Sequence, residues 1–256
     1  MLRIETADRV RTVTFDRPEV LNAFNNEMFD RVGLALSGAA SDPGVAVVVI
    51  TGSGRAFCAG QDLGEMADPS AIGDEGPGFV RFMDHLVRFD KPLIAAVNGL
   101  GVGIGATVLA HCDLVFIAES ARLRVPFTRL AVVPEAASSY LLPVRMGWQH
   151  AAHFLLSSDW IDAEAAVAQG LAWKVVKDQG LLDATMRTAR ELARRPICSL
   201  VETKRLMMAA RGDAIERTIA RELEVFPKMI GSPANVEALT AFMEKREPDF
   251  THVEGA

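Results

Sequence analysis

Between residues 93 and 110 only Asn98 and Thr107 interrupt an apolar run, and Gly99, Gly101, Gly103 and Gly105 alternate through its middle. A run of this length can cross a bilayer as one helix. Glycine costs about 1 kcal/mol in a helix interior relative to alanine, so glycines this dense argue against a continuous helix. The run divides instead. Leu93–Val97 has the length and composition of a buried strand. Residues 105–111 read as a short helix, and Leu114–Ala118 as the next strand. The glycines between them form a turn that lets backbone come close to whatever it faces.

The same alternation continues on both sides. Residues 4–15 read as a strand pair turning near Ala7-Asp8-Arg9. Residues 25–40 carry Phe29, Val32, Leu36 and Ala40 at helical spacing and stop before Asp42-Pro43-Gly44. Residues 45–51 are a β-branched run suited to a strand covered on both faces. Residues 52–77 are loop-rich, most of all near 73–78, and residues 79–89 read as helix. After Trp148 the chain is mostly helical, with one more strand over 172–176. Alternating strands and helices predict an α/β fold. Beyond Pro196 only helices are expected, so a core over 1–195 is followed by a helical subdomain over 196–256.

Composition narrows the function classes. With 256 residues, half of them apolar, the chain can bury a core as one domain with an appendage. A net charge of −6 offers no basic footprint, so no nucleic-acid partner is expected. Cys58, Cys112 and Cys198 lack metal-ligand spacing, which predicts no metal and a reducing, cytoplasmic setting. Residues 1–5 contain no apolar run, so neither a signal peptide nor a membrane partner is expected.

The glycine run has two chemical readings. Gly101-Val102-Gly103-Ile104-Gly105-Ala106 fits the dinucleotide fingerprint G-x-G-x-x-A, with Glu119 further on. The following helix has room for only about two turns before Cys112-Asp113, short for a crossover helix. No second βαβ unit follows. The other reading is a turn that aims backbone N–H groups at a developing oxyanion. A second loop, residues 52–63 with Gly60 in it, follows the strand over 45–51 and has the same character. Two such loops after neighbouring strands can each supply one N–H to one oxygen.

Glu135 follows Pro134 and precedes a run that begins a helix, Ala136-Ala137-Ser138-Ser139-Tyr140. Upstream, the side chains expected to face a cleft are Thr107 and Phe127, and neither exchanges a proton at neutral pH. Glu135 is therefore the obvious acid/base. One carboxylate suits moving a proton, whereas adding water generally needs two. The alternative is a first-turn carboxylate that stabilises its own helix by up to about 1 kcal/mol. His111 reads as a core histidine and His85 as a solvated one.

Six segments taken together resemble the crotonase, or enoyl-CoA hydratase/isomerase, superfamily over essentially the whole chain. They are Arg17-Pro18-Glu19-Val20-Leu21-Asn22-Ala23, Ala56-Phe57-Cys58-Ala59-Gly60-Gln61-Asp62-Leu63, Lys91-Pro92-Leu93-Ile94-Ala95-Ala96-Val97-Asn98-Gly99, Cys112-Asp113, Ala168-Gln169-Gly170-Leu171-Ala172 and Phe242-Met243-Glu244-Lys245-Arg246-Glu247-Pro248-Asp249-Phe250. The resemblance implies a spiral of ββα turns followed by helices that form trimers, often paired as hexamers. It implies acyl-CoA thioester substrates, with coenzyme A entering as part of the substrate and no separate cofactor. It assigns the oxyanion hole to the backbone N–H groups of Gln61 and Ile104. The two hydratase glutamates of the family fall on Thr107 and Phe127.

Val125-Pro126-Phe127-Thr128-Arg129-Leu130, then Pro134-Glu135-Ala136-Ala137-Ser138-Ser139-Tyr140, is similar to peroxisomal-type Δ3,Δ2-enoyl-CoA isomerases. In those the glutamate after the proline is the catalytic base, a role that here falls to Glu135. Glu254-Gly255-Ala256 is no peroxisomal tripeptide, so the likeness concerns the active site alone. The resemblance further places Ala23, Ala59, Gly60, Asp62, Leu63, Gly103, Thr107, Phe127 and Leu130 along the substrate. It sends Lys245, with Arg246 in the last turn of a helix over 233–246, to the CoA phosphates of a neighbouring subunit. The implied activity is enoyl-CoA isomerisation. Enoyl-CoA hydration and non-catalytic acyl-CoA binding are the alternatives.

Overall fold

The computed structural model describes residues 1–66 and 77–253; most of the irregular segment expected near 73–78 lies outside them. β1 (Leu2–Ala7) and β2 (Val10–Phe15) form an antiparallel hairpin. Asp8 and Arg9 make its turn, both with positive φ. β2 then pairs in parallel with β3 (Val47–Gly52), which continues through β5 (Leu93–Val97) and β7 (Leu114–Ala118) to β10 (Lys174–Val176). The inner strands β3 and β5 are buried on both faces, as their β-branched and small apolar composition requires.

A second sheet runs beside the first. Its strands are β4 (Ala56–Cys58), β6 (Leu100–Val102), β8 (Arg122–Arg124) and β9 (Ile161–Asp162). β3, β5 and β7 are each followed by one of these short strands, so the chain advances in ββα turns. The short strands have two or three residues each, too few for a period-2 pattern to register.

The apolar run over 93–110 divides as expected. It becomes β5, β6, the helix α4 (Ile104–Thr107) and a 3-10 turn over Val108–His111. Among the described residues no helix is long and apolar enough to cross a membrane.

α1 (Asn26–Ser41) starts on Asn25, whose side chain accepts the Met28 N–H at 2.9 Å. It buries Phe29, Val32 and Leu36; near its end Ala39 is buried and Ala40 exposed. α3 (Gly78–Val87) packs along α1, and His85 is half-buried there against Gly33 rather than solvated. Phe15, Phe24, Phe57, Phe29 and Phe82 meet mainly edge-on, with ring centroids 4.9–6.3 Å apart. Such pairs contribute about 0.5–1.5 kcal/mol each beyond area burial. Phe57 belongs to β4 and Phe24 bridges Gln61, so the cluster adjoins the loop after β4.

The remaining helices are α2 (Leu63–Met66), α5 (Ser138–Met146), α6 (Trp148–Ser157), α7 (Ala163–Ala168), α8 (Leu181–Ala193), α9 (Ile197–Ala209), α10 (Gly212–Met229) and α11 (Pro233–Met243). Lys204 ties α9 to the core by donating to the Lys91 carbonyl and to Asp113, whose carboxylate also accepts the Leu93 N–H. The expected helix over 233–246 ends sooner. Lys245 takes the left-handed conformation, with φ 57°, and the Arg246 N–H reaches back to the Ala241 carbonyl. This is the glycine-type helix stop, made here by lysine. Arg246 pairs with Glu237 and Glu244. Lys245 and Arg246 therefore lie beyond the last turn and not in it.

Candidate active site

The loops after β4 and β6 come together. Gly60 has φ 102°, and a Cβ there would stand 3.2 Å from the Val102 carbonyl oxygen. Gly103 has φ 52°, and a Cβ there would meet the Gly60 Cα at 3.7 Å. A side chain at either position would strain the backbone, and at Gly60 it would also press on the neighbouring loop.

The approach fixes two donors. Phe24 bridges the first loop: its N–H bonds to the Gly60 carbonyl, and its carbonyl accepts the Asp62 N–H, both at 2.8 Å. In a parallel bridge this turns the Gln61 N–H to the opposite side of the segment. Ile104 is the first residue of α4, so its N–H has no partner inside the helix. Gln61 and Ile104 line one cavity of about 350 Å³. Backbone from two adjacent loops thus borders one cavity.

Glu135 lines the same cavity. Its Oε1 accepts the Thr107 hydroxyl at 2.7 Å. Enclosure by protein is the main cause that raises the carboxyl to about 8; the Thr107 bond opposes the shift, and the negative charge of Glu222 adds to it. A carboxyl in this range can both take and return a proton near neutral pH. Cys58 lies close by, but burial pushes its thiol up to about 12, so it offers no nucleophile. The buried His111 is held down to about 4 by burial and contacts the Ala136 carbonyl at 2.8 Å, a core histidine as expected.

The other expected positions divide. Ala59, Gly60, Gly103, Phe127 and Leu130 line the cavity with Gln61, Ile104 and Glu135. Thr107 does not: it is wholly buried behind Glu135, which spends its hydroxyl on the carboxyl and leaves nothing for the substrate. Asp62 holds the loop through Arg17 at 3.3 Å and the Gly64 N–H at 3.1 Å. Ala23 is buried, its carbonyl gripped by the same Arg17 at 2.7 Å, so it supports the loop from behind the cavity wall. Leu63 begins α2, and its side chain is outside the described structure. Lys245 is exposed and does not line the cavity of its own chain, whereas Arg246 does.

Several lining residues carried no signal in the sequence. Arg124, Trp160 and Phe226 come from β8, the segment before β9, and α10; Phe242, in a segment that carries the family resemblance, joins them from α11. Arg124 donates to the Ser158 carbonyl and lies over the Trp160 ring. A second cavity of about 310 Å³ shares Gln61, Glu135 and Phe226 with the first and adds Phe79, Ile219, Glu65 and Glu222. Nothing local marks these residues, because only packing brings α3 and α10 to the site.

The raised carboxyl has a thermodynamic consequence. Between its ordinary 4.5 and about 8, Glu135 is ionised in the unfolded chain and neutral in the folded one. The stability it contributes is complete below about 4.5 and is lost as pH climbs towards about 8. Glu135→Gln removes that loss. The melting temperature of the variant is expected to exceed that of the wild type by a margin that widens across this interval. A margin independent of pH in thermal scans would contradict the enclosed carboxyl.

Comparison with known proteins bears on the same residues. The chain matches the family described as enoyl-CoA hydratase/isomerase over residues 5–253. It is 35% identical over 249 residues to the 1,2-epoxyphenylacetyl-CoA isomerase of Escherichia coli strain K12, covering 94% of this chain and 95% of the relative. Its fold matches the crystal structure of an enoyl-CoA hydratase/isomerase from Pseudoalteromonas atlantica T6c with a TM-score of 0.94, at 34% identity over 98% of this chain and 99% of the other. An enoyl-CoA hydratase from Mycobacterium marinum, EchA8_6, is 51% identical over 81% of this chain and 99% of its own, with a TM-score of 0.76.

Proposed function

The chain belongs to the enoyl-CoA hydratase/isomerase family, and from that premise we propose that it shifts the double bond of an enoyl-CoA thioester from C3 to C2 with Glu135 as the only base. The observation that carries this reading is one carboxyl, raised to about 8, in the cavity of two backbone donors. In this mechanism the Gln61 and Ile104 N–H groups hold the thioester oxygen. Ionised Glu135 removes a proton from C2, and the charge of the dienolate settles on that oxygen. Protonated Glu135 then returns the proton at C4. Thr107 holds Oε1, so the other carboxyl oxygen is left to shuttle the proton. Ala59, Gly60, Gly103, Phe127 and Leu130 line the path of the acyl thioester. Coenzyme A comes and leaves with the substrate, and no further cofactor is required.

Hydration is the second reading, favoured by the hydratase names among the relatives. Water would have to be activated by a further carboxylate. Glu65 and Glu222 line the neighbouring cavity, but both are engaged: Glu65 accepts from the Asn26 N–H at 2.7 Å, and Glu222 accepts three hydrogen bonds. Incubation with 3-enoyl-CoA and with 2-enoyl-CoA, followed by mass spectrometry and chromatography, separates the readings. Isomerisation gives 2-enoyl product at unchanged mass, and hydration adds one water. Rapid hydration of 2-enoyl-CoA with no isomer formed from 3-enoyl-CoA would overturn the proposal, and binding without turnover of either would favour an acyl-CoA-binding protein.

The pH profile gives a further test. Since the base must be ionised, kcat/KM is expected to rise with pH through a midpoint near 8 and then level off. A midpoint near 4.5, the ordinary value, would show that the base carboxyl is not raised by its enclosure, and a profile unchanged in shape in Glu135→Gln would rule Glu135 out.

We also propose a homotrimer or a pair of trimers. Val236, Phe242 and Met243 are exposed along α11, as are Leu206 and Met207 on α9. A second copy covering them would bring Lys245 towards the CoA phosphates of its neighbour. Lys245→Ala is then expected to raise KM for CoA esters several-fold, an effect that fades at high salt. A 27.7 kDa monomer by light scattering would refute both the assembly and the contact.

A further inference from the structure

The turn that carries Glu135 is conformationally unfavourable. Ala136 and Ala137, the next two residues, both adopt the left-handed conformation, with φ of 59° and 55°. Alanine avoids this region, and consecutive left-handed non-glycine residues persist only where the surroundings over-determine them. The surroundings can be named. His111 meets the Ala136 carbonyl at 2.8 Å. Glu222, 85 positions further along the chain on α10, accepts the Ala137 N–H at 2.7 Å through one carboxylate oxygen. Through the other it accepts the Ser139 N–H at 3.1 Å and the Ser139 hydroxyl at 2.6 Å. Glu222 thus caps the start of α5, a service that the residues before α5 do not perform: Ala137 occupies the cap position and has no side chain with which to do it.

Glu222 is itself buried, at 8% exposure, and its charge acts on Glu135. Among the described residues, Cys58 on β4, which stays a thiol, lies near Glu135, Glu65 on α2 lines the second cavity with it, and His111, held neutral by burial, contacts the adjoining Ala136 carbonyl. Arg124, Arg129 and Arg246 lie around the first cavity; Arg129 is paired with Glu247, and Arg246 with Glu237 and Glu244.

We propose that Glu222 is a positioning residue of the active site: from helix α10 it holds the left-handed turn Ala136–Ala137 in place and so fixes where the Glu135 carboxyl sits. This rests on the reading of Glu135 as the base. The consequence is that the helical C-terminal part of the chain sets the geometry and charge environment of a group on the core. A change in how α10 packs is felt at the base.

The test compares Glu222→Gln, Glu222→Ala and Glu222→Ala with Ala137→Gly. Glutamine keeps the volume of Glu222 but removes its charge and one acceptor oxygen. For Glu222→Gln, kcat is expected to fall about tenfold or more with KM nearly unchanged, since the base is displaced and the binding loops are not. The midpoint of the pH profile should move down by at least about half a unit, because a negative charge facing Glu135 is gone. Glycine enters the left-handed region freely, so Ala137→Gly should restore several-fold of the kcat lost in Glu222→Ala. A kcat and midpoint like the wild type would overturn the inference, and so would a fall in kcat with neither a shifted midpoint nor rescue by glycine.

Infrared difference titration provides a readout independent of turnover. The band of the protonated Glu135 carboxyl is identified by its absence in Glu135→Gln, and its midpoint is followed in Glu222→Gln. A midpoint that stays near the wild-type value, together with no rescue of kcat by Ala137→Gly, defeats the role of Glu222. A shifted midpoint in a protein that isomerises nothing leaves the role of Glu222 standing and defeats the isomerase reading.

Discussion

Replacing Glu135 with glutamine is expected to slow conversion of 3-enoyl-CoA to 2-enoyl-CoA by about 10²–10⁴-fold, the usual worth of a positioned acid/base group. The substitution suits the site. The Thr107 hydroxyl donates to Oε1 of Glu135, and a glutamine Oε1 can accept the same bond. The side chain should stay in place and lose only its ability to exchange a proton. Affinity for a CoA ester, measured by calorimetry with a saturated acyl-CoA, should hardly change. The gain in thermal stability towards pH 8 should appear in the same protein. A variant that retained more than about a tenth of the wild-type rate would require another base.

The second large effect is expected at Gly60. Its φ of 102° disfavours any side chain, and a Cβ would press on the Val102 carbonyl oxygen at 3.2 Å. Gly60→Ala should therefore rotate the loop between Phe24 and Gly103 and misdirect the Gln61 N–H. Losing one donor of this kind costs about 3 kcal/mol of transition-state stabilisation, or roughly 10²–10³ in kcat. Circular dichroism should remain that of the wild type, because the aromatic cluster adjoining the loop is untouched. If kcat stayed within about threefold of wild type, the Gln61 N–H would not be holding charge in the transition state.

What the sequence alone determined is local. The glycines over 99–105 rule out one long helix, and the break appears where they stand, between β5 and α4. The β-branched run over 45–51 makes a central strand, the periodicity over 25–40 makes α1 with Asn25 as its cap, and Pro134-Glu135 stands just before the α5 turn. Each of these rests on conformational preference or hydrogen bonding within a few residues, so neighbours in the chain suffice to encode it. The likeness of six segments to one family then supplied the spiral arrangement of these pieces.

Tertiary structure decided what depends on pairs distant in the chain. The second sheet joins strands of two or three residues, whose partners exist only once the first sheet has formed. Thr107 looks like a lining residue until the fold sets it behind Glu135, 28 positions away, and makes its hydroxyl a donor to the Glu135 carboxyl. Lys245 looks helical, yet α11 stops before it and Arg246 folds back onto Glu237. Glu222 reads as one more charge on an amphipathic helix, and only burial against α5 makes it the clamp of the Glu135 turn. The pKa of Glu135 belongs to the same class, since desolvation is a property of everything packed around a group and of no single stretch of chain.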